Sequence, residues 1–535
     1  YSVVDFSTPN SLLAMVTDAF GNALAGQTVS VLAGNGATTA PTVTTQPDGT
    51  VEISVTSQTA GISAVTATIN NSTASQNVTF VADVRTAKIA DLVVIKDGSE
   101  ADGSTANTLQ VRVTDAFGNA LAGQTVSVLA DNSATTAPTV ITEPDGTVEI
   151  SVTSQTAGIS TVTATINSSS QSRDVTFIAD ASTAQIADLV VIKDGSEADG
   201  STENTLRVRV TDAFGNTLGG QTVSVTADNS ATVTPTVITE PDGTVEISVT
   251  SQTAGTSVVT ASINNSSQSR NVTFIADVRT AKIADLEVIK DGSEADGSTA
   301  NTLRARVTDA FGNALAGQTV SVLADNGATV ALTETTKPDG TAEISVTSQT
   351  AGVSAVTVSI NNSSQSRNVT FIADVRTAQI AELVVIKDGS EADGSTANTL
   401  RVRVTDAFGN ALAGQTVSVL ADNGATVAPT VTTQPDGTVE ISVTSQTAGT
   451  STVTASINSS SQSRNVTFIA DVSTAQIASL EVTQDNAVAD GATANTLRVR
   501  VTDAFGNALA GQTVSVLADN GATTAPTVTT QPDGT

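Results

Sequence analysis

The 535-residue chain contains no cysteine, no histidine and no tryptophan, with a single methionine and a single tyrosine. Lack of cysteine excludes disulfides, thiol catalysis and thiolate-ligated metal sites, although a secreted chain can fold without disulfides and so no compartment follows. With neither His nor Cys, a nucleophile would depend on a Lys or carboxylate base held in a pocket. The many Ser and Thr instead alternate along strand-like runs, where solvent exposure accounts for them, and no enzyme is expected. Basic residues are scarce: 23 Lys and Arg stand against 53 Asp and Glu, a net charge of −30. Nucleic-acid phosphates and anionic membrane surfaces would be repelled along most of the chain. No apolar run approaches the roughly 18 residues of a membrane span, and residues 1–20 lack the basic-then-apolar layout of a signal peptide.

What is abundant is Val, Thr, Ser and Ala, a composition that favours strands. It is also repeated. The stretch "VTDAFGN" occurs six times, with its Asp at Asp18, Asp115, Asp212, Asp309, Asp406 and Asp503, and each interval (115 − 18, 212 − 115 and onward) is 97 residues. That period is too long for a solenoid unit and matches a small domain, so the chain reads as a tandem array.

Within the second repeat, period-two alternation marks Leu109–Val113, Val126–Val128, Val148–Val152, Val162–Ile166 and Val175–Phe177 as strands with one buried face. Leu92–Ile95 opens the repeat, and Thr139–Thr142 supplies a short seventh strand. "PDG" at Pro144–Gly146 predicts a tight hairpin turn, and "DAFGN" at Asp115–Asn119 another, with Gly118 as its left-handed residue. The expected fold is all-β: a tandem, rod-like array of immunoglobulin-like β-sandwiches of about seven strands each. Phe177 shares the parity of Val175 and belongs to the core. Phe117 either plugs the open end of its own sandwich or contacts the neighbouring domain; the plug is favoured, since an apolar ring beside a Gly-Asn turn covers the open end of a core.

The domains are placed at 1–85, 86–182, 183–279, 280–376, 377–473 and 474–535. By the period, the first lacks its opening strand, and the last stops before its final three strands and is expected to be poorly stable. Joints such as "FIADASTAQIADL" (Phe177–Leu189) contain neither Gly nor Pro, which predicts restricted angles between domains.

The segments "ADLVVIKDGSEADGSTANTLQVRVTDAFGNALAGQTVSV" and "PDGTVEISVTSQTAG", with the closing "RDVTF", resemble the group 1 bacterial Ig-like repeats of the intimin and invasin, or inverse autotransporter, adhesins. The resemblance covers essentially the whole chain. It implies a surface-exposed, extracellular stalk, anchored in the outer membrane by a region not in this chain and projecting an adhesive tip. A protein or glycan receptor would then be bound by regions outside this chain, the segment itself being a monomeric stalk that neither binds nucleic acid nor inserts in a membrane. The alternative is a direct binding module for a host glycoprotein, a matrix component or another cell's repeats.

Two candidate sites remain. The loop "KDGSEADGST" (Lys96–Thr105) gathers Asp97, Glu100 and Asp102 beside two glycines, an oxygen-rich set that could hold structural calcium. A solvated turn is the plainer reading, because the sixth repeat has Asn486 and Val488 at the corresponding places; no cofactor is expected. An internal Lys–Asn bond, as some bacterial Ig-like domains make, would join Lys290 to Asn368, but Asp174 and Gln484 break that pattern in other repeats.

Overall fold

The alternation seen in the sequence becomes strands because β-branched side chains on every second position bury against one another while Thr and Ser face water. A computed structural model describes all residues, Tyr1–Thr535. The chain divides into two units, Tyr1–Ile275 and Ala276–Thr535. In the second repeat the strands are β1 (Lys88–Lys96), β2 (Ser99–Glu100), β3 (Asn107–Thr114), β4 (Thr125–Ala130), β5 (Thr135–Thr136), β6 (Thr139–Ile141), β7 (Thr147–Thr153), β8 (Gly158–Ile166) and β9 (Ser169–Ile178).

These strands form two sheets, ordered β5-β7-β3-β1 and β2-β9-β8-β4-β6. All pairings are antiparallel except β2 with β9, where Ser99 and Glu100 run alongside Phe177 and Ile178. Between the sheets lies one core, with Leu92, Leu109, Val111 and Ile150 from the first facing Val126, Val162, Val175 and Phe177 from the second. Equivalent cores occupy the first, third, fourth and fifth repeats. Asn107 is fully buried and ties the sheets together: its Oδ1 accepts from Ser99 N and its Nδ2 donates to Thr176 O. Both ends of the amide are satisfied, which removes the penalty for burying it.

The "PDG" turn closes as its residues dictate. Gly146 adopts φ +80°, and a Cβ there would lie 2.7 Å from Val113 O, so the position needs glycine twice over, for conformation and for space. Asp145 Oδ1 accepts from Thr147 N and from its hydroxyl.

In the sixth repeat the chain ends at the residue corresponding to Thr147. Leu480, counterpart of the fully buried Leu92, is 66% exposed there, and Ile477 is 61% exposed. No partner strands equivalent to β8 and β9 cover them. The only helices are single 3₁₀ turns at the joints, and no helix is long and apolar enough to cross a membrane.

Candidate functional site: the joint between repeats

The joint starts where the last strand of the first repeat (Ser72–Val81) runs into Asp83 and a 3₁₀ turn, Val84–Thr86, before β1 begins at Lys88. Asp83 caps the turn, its carboxylate accepting from Arg85 N at 3.1 Å and from Arg85 Nε at 2.9 Å. Thr86 Oγ donates to Asp83 O and accepts from Ala116 N, so one hydroxyl joins the linker to the second repeat.

Asp115 is fully buried at the head of the "DAFGN" turn. One carboxylate oxygen accepts from Phe117 N and Asn119 N, both at 2.9 Å. The other accepts from Asn119 Nδ2 at 2.8 Å and from Asp83 N at 3.2 Å. Short polar side chains that bond the backbone two to four residues on are what makes such a turn rigid.

Asn119 then reaches into the preceding repeat. Its Nδ2 donates to Gln58 O and its Oδ1 accepts from Ala60 N, each at 2.8 Å. Asn216 makes the same pair with Gln155 O and Ala157 N. In the second unit, Asn410 bonds Gln349 O and Ala351 N, and Asn507 bonds Gln446 O and Ala448 N. An amide that gives and accepts one bond each mimics a strand-pairing partner and resists both sliding and twisting.

The expectation for Phe117 is corrected here. The ring is 43% exposed and absent from the core of its own sandwich. Phe214, Phe408 and Phe505 are 46–47% exposed, and Phe20 of the first repeat is 91% exposed. The turn that closes a sandwich in the sequence reading is the contact between sandwiches.

Two of the three calcium candidates occupy separate hydrogen-bonded roles. Asp97 Oδ1 accepts from Gly98 N and Thr176 N, fastening the loop to β9. Asp102 accepts from Ser104 N, Thr105 N and the Thr105 hydroxyl. Glu100 lies exposed on β2. No group of three or more carboxylates, in this loop or elsewhere, is placed to hold a metal ion. In the fourth repeat the Glu100 counterpart, Glu294, pairs with Arg376 of the following joint, which also holds Asp374 at 3.0 Å. Lys290 and Asn368 lie in different sheets, Lys290 Nζ donating to Ala300 O.

The Thr105 hydroxyl first, then the Thr105 and Ser104 N–H groups, hold the Asp102 carboxyl well below the usual range, and Asp199, Asp296 and Asp393 are lowered by the same kind of loop. A carboxyl depressed in the folded state stabilises fully above its unfolded pKa and loses that contribution as pH falls through the folded value. With no histidine in the chain, the unfolding temperature is expected to stay flat from about pH 8 to about pH 5.5 and to fall only below about pH 4. Calorimetry across that range checks it, and a slope near neutrality would contradict it.

The family model for the bacterial Ig-like domain (group 1) matches residues 3–81, 89–178, 186–275, 283–372, 380–469 and 477–535. The chain belongs to this family. It is 34% identical over 452 residues to the inverse autotransporter adhesin YeeJ of Escherichia coli (strain K12), a match covering 79% of the chain and 19% of YeeJ. The chain thus spans about a fifth of that relative. Among solved structures it is similar to invasin, described as a bacterial integrin-binding protein, at 23% identity and TM-score 0.35, over 74% of this chain and 82% of that one. It is also similar to the D0–D1 domains of intimin, at 25% identity and TM-score 0.17, over 35% and 98%. Its repeats are thus bacterial Ig-like domains of group 1, similar in sequence to those of an inverse autotransporter adhesin.

Proposed function

We propose that the repeats act as a spacer at a bacterial surface, carrying an adhesive region away from an outer-membrane anchor. The observation that carries this reading is the Asn bridge at the joints. A side chain from one sandwich bonds two backbone groups of the sandwich before it, with a linker that has no Gly or Pro and whose 3₁₀ turn is itself capped. Reach and stiffness are then products of repeat number and joint geometry, with no chemistry required. Stiffness is proposed to be independent of metal, because the loop carboxylates already accept N–H donors of their own repeat.

Small-angle scattering on the chain, with and without millimolar Ca²⁺, tests it. An extended particle with the same profile in both conditions is the expected result. A compact particle, or one that extends only with Ca²⁺, would overturn it and restore Asp97, Glu100 and Asp102 as metal ligands.

A further inference from the structure

The joints share one design and differ at one charged position. In the first joint Arg85 lies on the 3₁₀ turn. Its Nε holds the capping Asp83 at 2.9 Å, and the same guanidinium approaches Asp5 of the preceding repeat at 3.8 Å. Arg376 does the same between the fourth and fifth repeats: Nε bonds Asp374 at 3.0 Å, and a terminal nitrogen pairs with Glu294. Asp5 and Glu294 belong to the acidic loop after the opening strand, Asp5 being the counterpart of Asp102 and Glu294 of Glu100. The planar fork thus fastens the linker backwards, to the repeat just completed. Thr86 and Thr377 fasten it forwards, accepting from Ala116 N and Ala407 N.

The second-to-third and fifth-to-sixth joints carry Ser182 and Ser473 in place of the arginine. Each hydroxyl spends its one donor on the capping aspartate, Asp180 or Asp471, at 2.6 Å. No neighbouring base takes over, because the chain has no Lys or Arg between Arg173 and Lys193 or between Arg464 and Arg498. The cap and the acidic loop are left as like charges at one joint. The Ser182 hydroxyl holds the Asp180 carboxyl below its ordinary range while the Asp102 charge acts against it, and Asp471 stands in the same relation to Ser473 and Asp393.

We infer that the array is jointed by two grades of hinge: arginine joints clamped to the repeats on both sides, and serine joints without the backward clamp, which open more readily at low ionic strength. Each unit of the chain contains both grades. The joints after the second and fourth repeats form a matched pair. Both connect complete repeats and both have the Asn bridge, from Asn216 and Asn410. In both a Gln amide donates to the same carbonyl, Gln185 to Asp212 O and Gln379 to Asp406 O, each at 3.2 Å. In charge the two linkers differ only by Ser182 against Arg376. Exposed ion pairs are weak and screened, which fixes both the size and the salt dependence of the difference. Added salt weakens the clamp and relieves the repulsion, so the two grades converge as the Debye length falls to ~3 Å near 1 M.

Hydrogen exchange of the full chain reads the matched joints at the Ala157 and Ala351 amides. Both follow the same Gln-Thr pair, so their intrinsic rates agree, and both donate to the bridging Asn. At about 10 mM salt, where screening is slight, Ala157 is expected to exchange about two- to fivefold faster than Ala351, with the gap closing near 1 M. Ser182→Arg should bring Ala157 to the rate of Ala351, whereas Ser182→Gln, which adds length without charge, should not. Continued protection of the Phe177 amide shows that the second repeat is folded in each variant. Equal rates at low salt, a gap that survives 1 M salt, or rescue by Gln as complete as by Arg overturns the inference. The grading goes beyond the spacer reading and can fail apart from it, because exchange reports the opening of a joint and scattering the length of the particle.

Discussion

Replacing Phe177 with Ala in the full chain is expected to lower the stability of the second repeat by about 3–5 kcal/mol and to leave the other complete repeats nearly unchanged. Phe177 is 1% exposed, the largest side chain in its core, and sits where β9 pairs with both β8 and β2. Its loss opens the core it shares with Leu109 and Ile150 of one sheet and Val162 and Val175 of the other, and no other aromatic ring in that core is available to fill the space. Domains of this size hold roughly 5–15 kcal/mol in total, so the change is a large part of what keeps one sandwich folded. Calorimetry should show a separate component melting well below the main transition, at ~4–8 °C per kcal/mol. Hydrogen exchange should place the loss in the peptides containing Asp174, which occurs only in this repeat at that position. If all the repeats instead moved down together, their folding would be coupled through the joints and the description as separate cores would fail.

Asn216→Ala is expected to loosen a joint without unfolding either neighbour. The substitution removes the bonds to Gln155 O and Ala157 N in the second repeat and the bond to Asp212 Oδ2 in its own turn. Leaving partly buried backbone groups unpaired costs about 1–3 kcal/mol, so exchange of the Ala157 amide should accelerate by about tenfold or more while core amides such as that of Phe177 stay protected. Asn216→Asp is informative in a different way. It keeps an acceptor for Ala157 N, loses both donors, and sets a second carboxylate against Asp212, so it should loosen the joint at least as much as Ala does. Unchanged exchange at Ala157 in both variants would show that the linker alone holds the two sandwiches.

Much of this was readable from the chain. The strands at Leu109–Val113 and Val162–Ile166 follow from strict alternation, because a half-buried strand has a side-chain period of two and nothing else in the sequence competes with it. "PDG" dictated its turn, since Pro and Gly there leave the backbone few alternatives. The short pairs Ser99–Glu100 and Thr135–Thr136 had no such signal. Two residues make no period, and their pairing with β9 and β7 depends on where those strands lie.

The site was less legible than the fold. Asp115 and Asn119 carry the chemistry of a turn, and within one repeat that is all they do. Asn119 became a joint residue because Gln58 and Ala60, 61 and 59 positions earlier, end up beside it. The plug was wrongly preferred for Phe117 for a related reason: an apolar ring next to a Gly-Asn turn satisfies the same local pattern whether it covers its own core or lies at the joint with the preceding repeat. The acidic loop shows the converse. Asp97, Glu100 and Asp102 are neighbours in sequence, yet strand pairing sends Asp97 to Thr176 N and leaves Asp102 with Thr105.

By itself the sequence determined the family, the six-fold repeat, the buried face of each long strand and the absence of thiol or imidazole chemistry, because each of these is local: a spacing, an alternation or a missing residue type. The tertiary structure alone decided which groups meet across the joint and which donors the carboxylates of the acidic loop find. Both depend on segments distant along the chain arriving at one place, and a hydrogen bond carries no trace in the sequence of the partner that folding will bring to it.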